Sequence, residues 1–326
     1  MALAFLSACS GSGSIPSVDE MSDQLKTSDR YILSDRYINH RAQQRTITTE
    51  SGKIAYLDYG QGPVLVMLHG VPTSSWLYRK MIEPLQDDYR VIAIDLLGFG
   101  SSDKPKTNDT NYLPNSQAKY VEQVLSHLKI ENYSLLFHDM GGLVAWELLD
   151  RDVNNQQGSK INNMIVLNTI IDQQGFNHPK QKKGVTARIM SDAFASEISS
   201  AAVLDLTFDN MGLTSNAELS ENECHGYVAP MKEGNGDVLY EFYTSFNDQR
   251  FTSLKKQVAN LSKFTGDILV MWGAEDKVLT TKQIPVLQEV SSLKQANIHI
   301  FEDNAHFLPE EIPNELNKRI RSFLKN

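Results

Sequence analysis

Residues 133–148 read YSLLFHDMGGLVAWEL, and the rest of the chain can be interpreted outward from this stretch. Residues 133–138 are mostly apolar and of strand length, the last six residues have a helical pattern, and Gly141 and Gly142 stand between them. A strand that turns at once into a helix forces its turn residue into strained backbone, which requires small residues beside it. That turn residue is Asp139, and the N-terminal N–H groups of the helix would favour negative charge there. The alternative is that Asp139 only caps the helix.

An aspartate at such a turn favours a different chemistry from a serine. Serine attacks a carbonyl group and leaves an acyl ester, whereas a carboxylate attacking a carbonyl would give an unfavourable mixed anhydride. Attack on a saturated carbon instead gives an ordinary alkyl ester, which a positioned water can hydrolyse. If Asp139 is a nucleophile, the sequence therefore predicts an electrophilic sp3 carbon, as in an epoxide or an alkyl halide.

The composition indicates a soluble globular protein. The 326 residues can bury a substantial core, as one large domain or as a domain with an insertion, and 41% of them are hydrophobic. The net charge of -9 argues against nucleic acid or an anionic membrane surface as a partner. Two cysteines, Cys9 and Cys224, imply no disulfide framework. No Walker loop, HExxH motif or Cys/His cluster is found, so we expect neither a cofactor nor a metal.

The N-terminal residues 1–28 are expected to form a leader or tether. Residues 6–9 read LSAC and match the bacterial lipobox, in which the cysteine becomes the lipidated first residue, and GSGSIPS follows as a flexible linker. The segment before Cys9 is shorter than a normal signal and has no Lys or Arg, which a truncated start site would explain. We therefore expect an exported bacterial lipoprotein tethered through Cys9, with a chance match in a cytoplasmic protein as the alternative.

Strand and helix patterns alternate along most of the chain, which predicts a mostly parallel sheet with helices on both faces. The predicted strands cover residues 46–50, 53–59, 63–68, 91–94, 133–138, 162–167, 267–272 and 296–301, with helices at 76–85, 116–128 and 281–290. The alternation lapses over residues 170–261, which are expected to form a helical cap. The core is thus predicted to be 45–169 and 262–326, with polar residues 18–44 packing loosely on it.

Four residues that follow predicted strands form a candidate site, because function collects at the C-terminal ends of parallel strands: Val71, Asp139, Asp276 and His306. The order Asp139, Asp276, His306 is nucleophile, acid, histidine. His306 would activate water, and Asp276 would hold its tautomer. The backbone N–H groups of Val71 and Met140 would form an oxyanion hole, each worth on the order of 3 kcal/mol.

Five motifs carry a resemblance to a known family: HGVPTSS at 69–75, DLLGFG at 95–100 with Lys104-Pro105, HDMGG at 138–142, Trp272-Gly273 with Asp276, and NAHFL at 304–308. With these motifs in order, residues 52–326 resemble α/β-hydrolases with an Asp nucleophile, the epoxide hydrolase and haloalkane dehalogenase superfamily. The resemblance implies the α/β-hydrolase fold with an inserted helical cap, and a catalytic set of Asp139, Asp276 and His306. The cap segment 235–250 looks more like the mesoderm-specific transcript branch.

Several side chains near these motifs have alternative interpretations. Glu275 could replace Asp276 as the acid, and Phe137 departs from the small residue usual two positions before the nucleophile. Cys224 and His225 are more typical of a surface than of a metal site. The candidates for substrate contact are His69, Pro72, Trp76, His138, Tyr227, Tyr240 and Tyr243. His69 and His138 also fit a loop-ordering or packing role.

The resemblance favours epoxide opening over dehalogenation. Haloalkane dehalogenases usually hold the halide with a Trp after the nucleophile and a second side-chain N–H donor, whereas the positions here are Met140 and Val71. Epoxide hydrolases protonate the opening ring with cap tyrosines, and this cap contains Tyr227, Tyr240 and Tyr243. We therefore expect a hydrolase, monomeric or dimeric, whose partners are a small hydrophobic substrate and water. A non-catalytic binding protein is the remaining alternative, against which the intact triad argues.

Overall fold

An eight-stranded sheet forms the centre of the molecule. The computed structural model describes residues 34–106, 112–156, 158–177, 248–291, 293–294 and 297–325, with scattered positions between 213 and 239. The strands are β1 (Arg45–Thr49), β2 (Gly52–Tyr59), β3 (Val64–Leu68), β4 (Arg90–Ile94), β5 (Asn132–Asp139), β6 (Lys160–Thr169), β7 (Asp267–Gly273) and β8 (Ile298–Phe301). Their order is β1-β2-β4-β3-β5-β6-β7-β8. Among these eight strands, the β1–β2 and β2–β4 pairs are antiparallel and the other neighbouring pairs are parallel.

Helices follow the strands as the sequence pattern predicts. They are α1 (Asp35–Ala42), α2 (Arg79–Leu85), α3 (Pro114–His127), α4 (Gly141–Val153), α5 (Asp248–Ala259), α6 (Gln283–Val290), α7 (Leu308–Glu311) and α8 (Pro313–Leu324), with 3-10 turns at Ser75–Tyr78 and Asn260–Lys263. The predicted fold class, an α/β-hydrolase fold with a mostly parallel sheet, is confirmed. No helix among the described residues is long and apolar enough to span a membrane.

The central strands are apolar along almost their whole length because helices cover both faces of the sheet. All but the first residue of β3, β4 and β5 is buried. Helix α3 presents a regular buried face to the sheet, with Val121 and Val124 fully enclosed. The rigid strands therefore fix where their C-terminal residues stand, and the candidate site is built from those residues.

Residues 34–44 pack more specifically than the sequence analysis expects. Ser34 caps α1 by accepting a hydrogen bond from the backbone N–H of Tyr37, and the Tyr37 ring is buried. That ring meets Trp76 edge to face at 5.3 Å between centroids. The stretch is polar and contributes only one fully buried aromatic side chain, so its pattern alone does not reveal a packed helix.

The predicted cap over residues 170–261 falls mostly outside the described residues. Its described C-terminal part is helical, with α5 followed by the turn Asn260–Lys263. At its start, Phe176 forms an isolated antiparallel bridge with Leu279 of the core. The helical cap stays a prediction for the rest of the segment.

Candidate active site

Asp139 occupies the sharp turn between β5 and α4. Its φ of 50° lies in the left-handed region, which a non-glycine residue seldom adopts. The turn closes because Gly141 lets the helix approach β3: a Cβ there would lie 2.5 Å from the carbonyl oxygen of Leu68. The hydroxyl of Thr169 donates to the backbone oxygen of Asp139 at 2.6 Å. The strained backbone is thus held from two neighbouring strands, and the carboxylate projects beyond the sheet.

One oxygen of the Asp139 carboxylate accepts a hydrogen bond from the backbone. The N–H of Val71 donates to Oδ1 at 2.8 Å, and the adjacent N–H of Met140 acts to lower the pKa of the carboxyl group. Gly70 allows this approach, because a Cβ at that position would lie 2.3 Å from Oδ1. Val71 and Met140 are the residues predicted to form an oxyanion hole, and both lie beside the Asp139 carboxylate.

His306 lies between the two aspartates. Its Nδ1–H donates to Oδ2 of Asp276 at 2.7 Å, and its Nε2 is 3.8 Å from Oδ2 of Asp139. All three side chains are buried, with relative exposures of 0% for His306, 2% for Asp276 and 5% for Asp139. The structure therefore assembles the predicted triad, with one imidazole nitrogen bonded to the acid and the other facing the turn carboxylate.

Asp276 is fixed by donors on both of its oxygens. Oδ1 accepts from the backbone N–H groups of Val278 and Leu279 at 2.9 and 2.8 Å, and Oδ2 accepts from the Asn168 amide at 2.8 Å. The alternative acid Glu275 is exposed. Asn168 is not predicted from the sequence, because its only signal is an amide side chain at the C-terminal end of an apolar strand.

The pKa shifts of Asp139 and His306 follow from their burial and from these contacts. Burial raises the pKa of Asp139, and His306 together with the Val71 and Met140 N–H groups partly offsets this effect. Burial acts to lower the pKa of His306, but the charge and hydrogen bond of Asp276 outweigh it, so the pKa ends above its ordinary value. The acid thus makes His306 a stronger base than a free imidazole.

Two further candidate histidines, His138 and His69, order the backbone around the site. The Nε2–H of His138 donates to the carbonyl oxygen of His306 at 2.9 Å, and burial lowers the pKa of His138 well below its usual value. His69 donates from Nδ1 to Gly70 at 2.8 Å and accepts at Nε2 from the Leu96 N–H at 3.0 Å. Both rings are therefore neutral and bonded to main chain, which fits the loop-ordering interpretation.

Among the remaining candidates for substrate contact, some are buried and hydrogen-bonded to other parts of the protein, and others lie outside the described residues. Trp76 is buried and donates its indole N–H to the carbonyl oxygen of Glu223 at 2.9 Å. Tyr227 is also buried, and its hydroxyl donates to the carboxylate of Glu310. Pro72 follows a cis peptide bond directly after Val71. Four further residues lie outside the described part of the chain: Tyr240, Tyr243, Cys224 and His225.

The fold and this constellation define a hydrolase of the α/β class. The α/β hydrolase fold family model matches residues 63–313, and the chain belongs to that family. Within the described residues, no group of three or more His, Cys, Asp or Glu side chains could hold a metal ion.

The curated proteins that are similar to this chain include a decarboxylase and a haloalkane dehalogenase. The human mesoderm-specific transcript homolog protein (Homo sapiens) is 27% identical over 289 aligned residues, covering 85% of this chain and 84% of that one. A cis-3-alkyl-4-alkyloxetan-2-one decarboxylase of Shewanella oneidensis is 24% identical, covering 85% and 87%. A haloalkane dehalogenase of Mycolicibacterium paratuberculosis is 28% identical, covering 88% and 92%.

Solved structures show the same fold at low sequence identity. An α/β hydrolase fold protein from Burkholderia ambifaria superposes with a TM-score of 0.68 at 20% identity, covering 85% of this chain and 97% of that one. The epoxide hydrolase CorEH superposes with a TM-score of 0.63 at 23% identity, covering 86% and 98%. At these identities the likeness concerns the fold.

Proposed function

We propose that Asp139 is the nucleophile of a two-step hydrolysis that passes through an alkyl ester. The observation that carries this proposal is the asymmetry of its carboxylate. Oδ1 accepts a hydrogen bond from the backbone N–H of Val71, whereas Oδ2 faces Nε2 of His306 across 3.8 Å. One oxygen is thus positioned as an acceptor, and the other is directed toward the space where a substrate carbon and then a water would stand.

In the first step, Oδ2 of Asp139 forms a bond to a saturated carbon. With an epoxide, the carbon–oxygen bond of the ring breaks, its electron pair stays on the ring oxygen, and that oxygen takes up a proton from an acid or from water. The left-handed backbone of Asp139 places the carboxylate at the end of β5, in the turn that presents the nucleophile of a strand-to-helix elbow. His306 takes no part in this bond change.

In the second step, Nε2 of His306 removes a proton from water, and the water oxygen adds to Cγ of the ester. Negative charge develops on Oδ1, which already accepts from the Val71 N–H, and the adjacent Met140 N–H would add to its stabilisation. The bond between Cγ and Oδ2 then breaks, and the product oxygen receives the proton from His306. Asp276 stabilises the imidazolium through the 2.7 Å hydrogen bond to Nδ1.

An epoxide fits the described residues better than an alkyl halide does. Neither Val71 nor Met140 offers a side-chain N–H to a departing halide. An epoxide carries its leaving oxygen into the product and needs only a proton donor. Tyr227 does not supply one in this arrangement, because its hydroxyl donates to Glu310. Tyr240 and Tyr243 remain the candidate acids.

A β-lactone ring, an oxetan-2-one, is a second candidate substrate. Asp139 could attack its saturated ring carbon, and the departing oxygen would become a carboxylate that requires no acid. Loss of carbon dioxide would then expel the Asp139 carboxylate and leave an alkene, so this route uses no water. The similarity to the Shewanella decarboxylase supports this candidate.

Replacing the proposed base, His306, distinguishes an epoxide, an alkyl halide and a β-lactone as the substrate. The variant His306→Gln should retain the first step and accumulate the ester, visible by intact mass spectrometry after incubation with styrene oxide or 1-bromobutane. An epoxide adds its whole mass, and a bromoalkane adds only its alkyl group. A β-lactone probe would instead still turn over in this variant, because its route needs no water.

Two control variants make the result specific. His127→Gln changes an exposed histidine and should turn over without an adduct. An adduct that persists in the double variant His306→Gln with Asp139→Asn would place the nucleophile elsewhere. Failure of all three probes to react would contradict the proposal and favour a non-catalytic binding pocket.

A further inference from the structure

A cluster of buried charges lies beside the triad and takes no part in the steps above. The side chain of Arg79 is 5% exposed and that of Glu310 is 0% exposed. The guanidinium contacts both oxygens of Glu310, with 2.9 Å from Nη2 to Oε2, and its Nη2 also donates to Glu223 at 2.8 Å. Nζ of Lys80 lies 2.8 Å from Glu223 and 3.0 Å from Glu310.

The cluster joins three parts of the chain that surround the site. Arg79 begins α2, eight residues after the oxyanion donor Val71, and Glu310 lies in α7, four residues after the base His306. Glu223 and Tyr227 belong to the segment between β6 and α5, and both contact the same ion pair. Arg79 and Glu310 are 231 residues apart in sequence, so their contact is set by the tertiary fold.

We propose that Arg79 is a positioning residue whose ion pair with Glu310 sets the distance between the oxyanion donors and the base. Glu223 and Tyr227 link this distance to the segment between β6 and α5. This inference rests on the proposed ester chemistry. Arg79 also donates to the carbonyl oxygen of Trp76 at 3.0 Å, in the turn that leads back to Val71. The guanidinium is therefore bonded to both loops at once.

A bidentate ion pair can fix the distance between two loops, because both of its hydrogen bonds form in only one relative position of the guanidinium and the carboxylate. Two parallel N–H···O bonds fix both the separation and the tilt of the partners, which a lysine ammonium cannot do. Burying such charges is costly unless every group is paired, so small shifts of either loop are penalised. Tyr227 donates to Glu310 as well, and Lys80 supplies a second cation.

The second chemical step should depend on this spacing more than the first. Alkylation needs Asp139 and a substrate carbon, whereas ester hydrolysis needs His306 and the Val71 N–H in register with the same Cγ. A misplacement of about 1 Å can slow a reaction by on the order of 100-fold. Weakening the ion pair between Arg79 and Glu310 should therefore slow ester hydrolysis selectively and make the ester accumulate.

The test compares Arg79→Lys with Arg90→Lys. Arg90 also makes a two-pronged contact with a carboxylate, Asp58, at 2.9 and 3.0 Å, but it begins β4 at the opposite end of the sheet. Single-turnover rates of ester formation and ester hydrolysis are measured with styrene oxide, together with the thermal unfolding midpoint. A milder variant, Tyr227→Phe, removes one donor to Glu310 and keeps the ion pair.

We expect Arg79→Lys to slow ester hydrolysis by roughly 10- to 100-fold while ester formation changes less than about threefold. Tyr227→Phe should shift the same ratio in the same direction by a smaller factor, and Arg90→Lys should leave it unchanged. Equal slowing of both steps in the folded Arg79→Lys and Tyr227→Phe variants would overturn the inference and indicate a purely structural cluster. The variant His306→Gln serves as reference: no ester in it from styrene oxide or 1-bromobutane, together with no turnover of the β-lactone probe, would overturn the ester chemistry itself, and this inference with it.

Discussion

Nε2 of His306 lies 3.8 Å from Oδ2 of Asp139, which is too far for a hydrogen bond. This nitrogen is buried and has no hydrogen-bond partner among the described residues, whereas Nδ1 of the same ring donates to Asp276 at 2.7 Å. The ring is therefore oriented by one nitrogen and leaves the other directed at the carboxylate. A base with this arrangement can serve a water that attacks an ester at Asp139.

The raised pKa of His306 predicts the pH dependence of ester hydrolysis. Only the neutral imidazole can act as a base, so the rate should rise with pH through a midpoint above 6.5, the usual histidine value. Because Asp276 contributes most among the carboxylates that raise this pKa, Asp276→Asn should move the midpoint to lower pH and reduce the plateau rate by up to about 10⁴-fold. Single-turnover hydrolysis at a series of pH values measures both quantities.

The matched control for this experiment is Glu275→Gln, which alters the neighbouring, exposed carboxylate. It should leave the midpoint and the plateau where they are in the unaltered protein. If Glu275→Gln moved the midpoint and Asp276→Asn did not, the acid would have been assigned to the wrong residue.

The fold and the triad could be predicted because their signals are local in sequence. The apolar run of β5 and the glycines after Asp139 specify a strand and a tight turn, and the relative order of Asp139, Asp276 and His306 matches one topology. Asn168 could not be predicted, since an amide at the end of a strand indicates a role only once the structure shows its hydrogen bond to Asp276. The contact between Arg79 and Glu310 could not be predicted either, because it joins residues that are far apart in sequence.

Helix α1 should make the protein sensitive to acid through His40. Burial lowers the pKa of His40 to about 4, while the unfolded chain should titrate near the ordinary value of about 6.5. The unfolded state therefore binds the proton first as the pH falls. The free energy of unfolding should drop between about pH 6.5 and 4, by on the order of 2 kcal/mol after discounting for the partial exposure of the ring.

Chemical denaturation at several pH values tests this expectation. His40→Gln should flatten the pH dependence in that interval, because the amide does not titrate and can still contact Ser75, which lies 3.1 Å from Nε2 of His40. His127→Gln, at an exposed position on α3, should leave the dependence as it is. An unchanged slope in His40→Gln would show that other groups cause the acid sensitivity.

The lipobox sequence at residues 6–9 leads us to propose that the natural precursor is exported and lipidated at Cys9. Full-length protein expressed in bacteria should then fractionate with membranes, and Cys9→Ser should shift most of it to the soluble fraction. Cys224→Ser is the control, because it removes the other cysteine. Soluble protein that retains Met1 would contradict the proposal.

Gly70 should be essential for ester formation, because the Asp139 carboxylate occupies the space that a side chain at this position would need. A Cβ at this position would lie 2.3 Å from both Cβ and Oδ1 of Asp139, far inside van der Waals contact. Gly70→Ala must therefore displace either the carboxylate or the turn that presents the Val71 N–H. We expect ester formation to fall by more than about 100-fold, since the nucleophile leaves its productive position.

The size of the effect at Gly70 can be separated from a general cost of adding a methyl group. At Gly158 an added Cβ would meet no atom within 4 Å, so Gly158→Ala should form ester at the rate of the unaltered protein. Both variants are compared by single-turnover ester formation with styrene oxide and by thermal unfolding. Because the clash at Gly70 is with the carboxylate of Asp139 itself, a folded Gly70→Ala variant with an unchanged rate would show that this carboxylate is not the group that attacks.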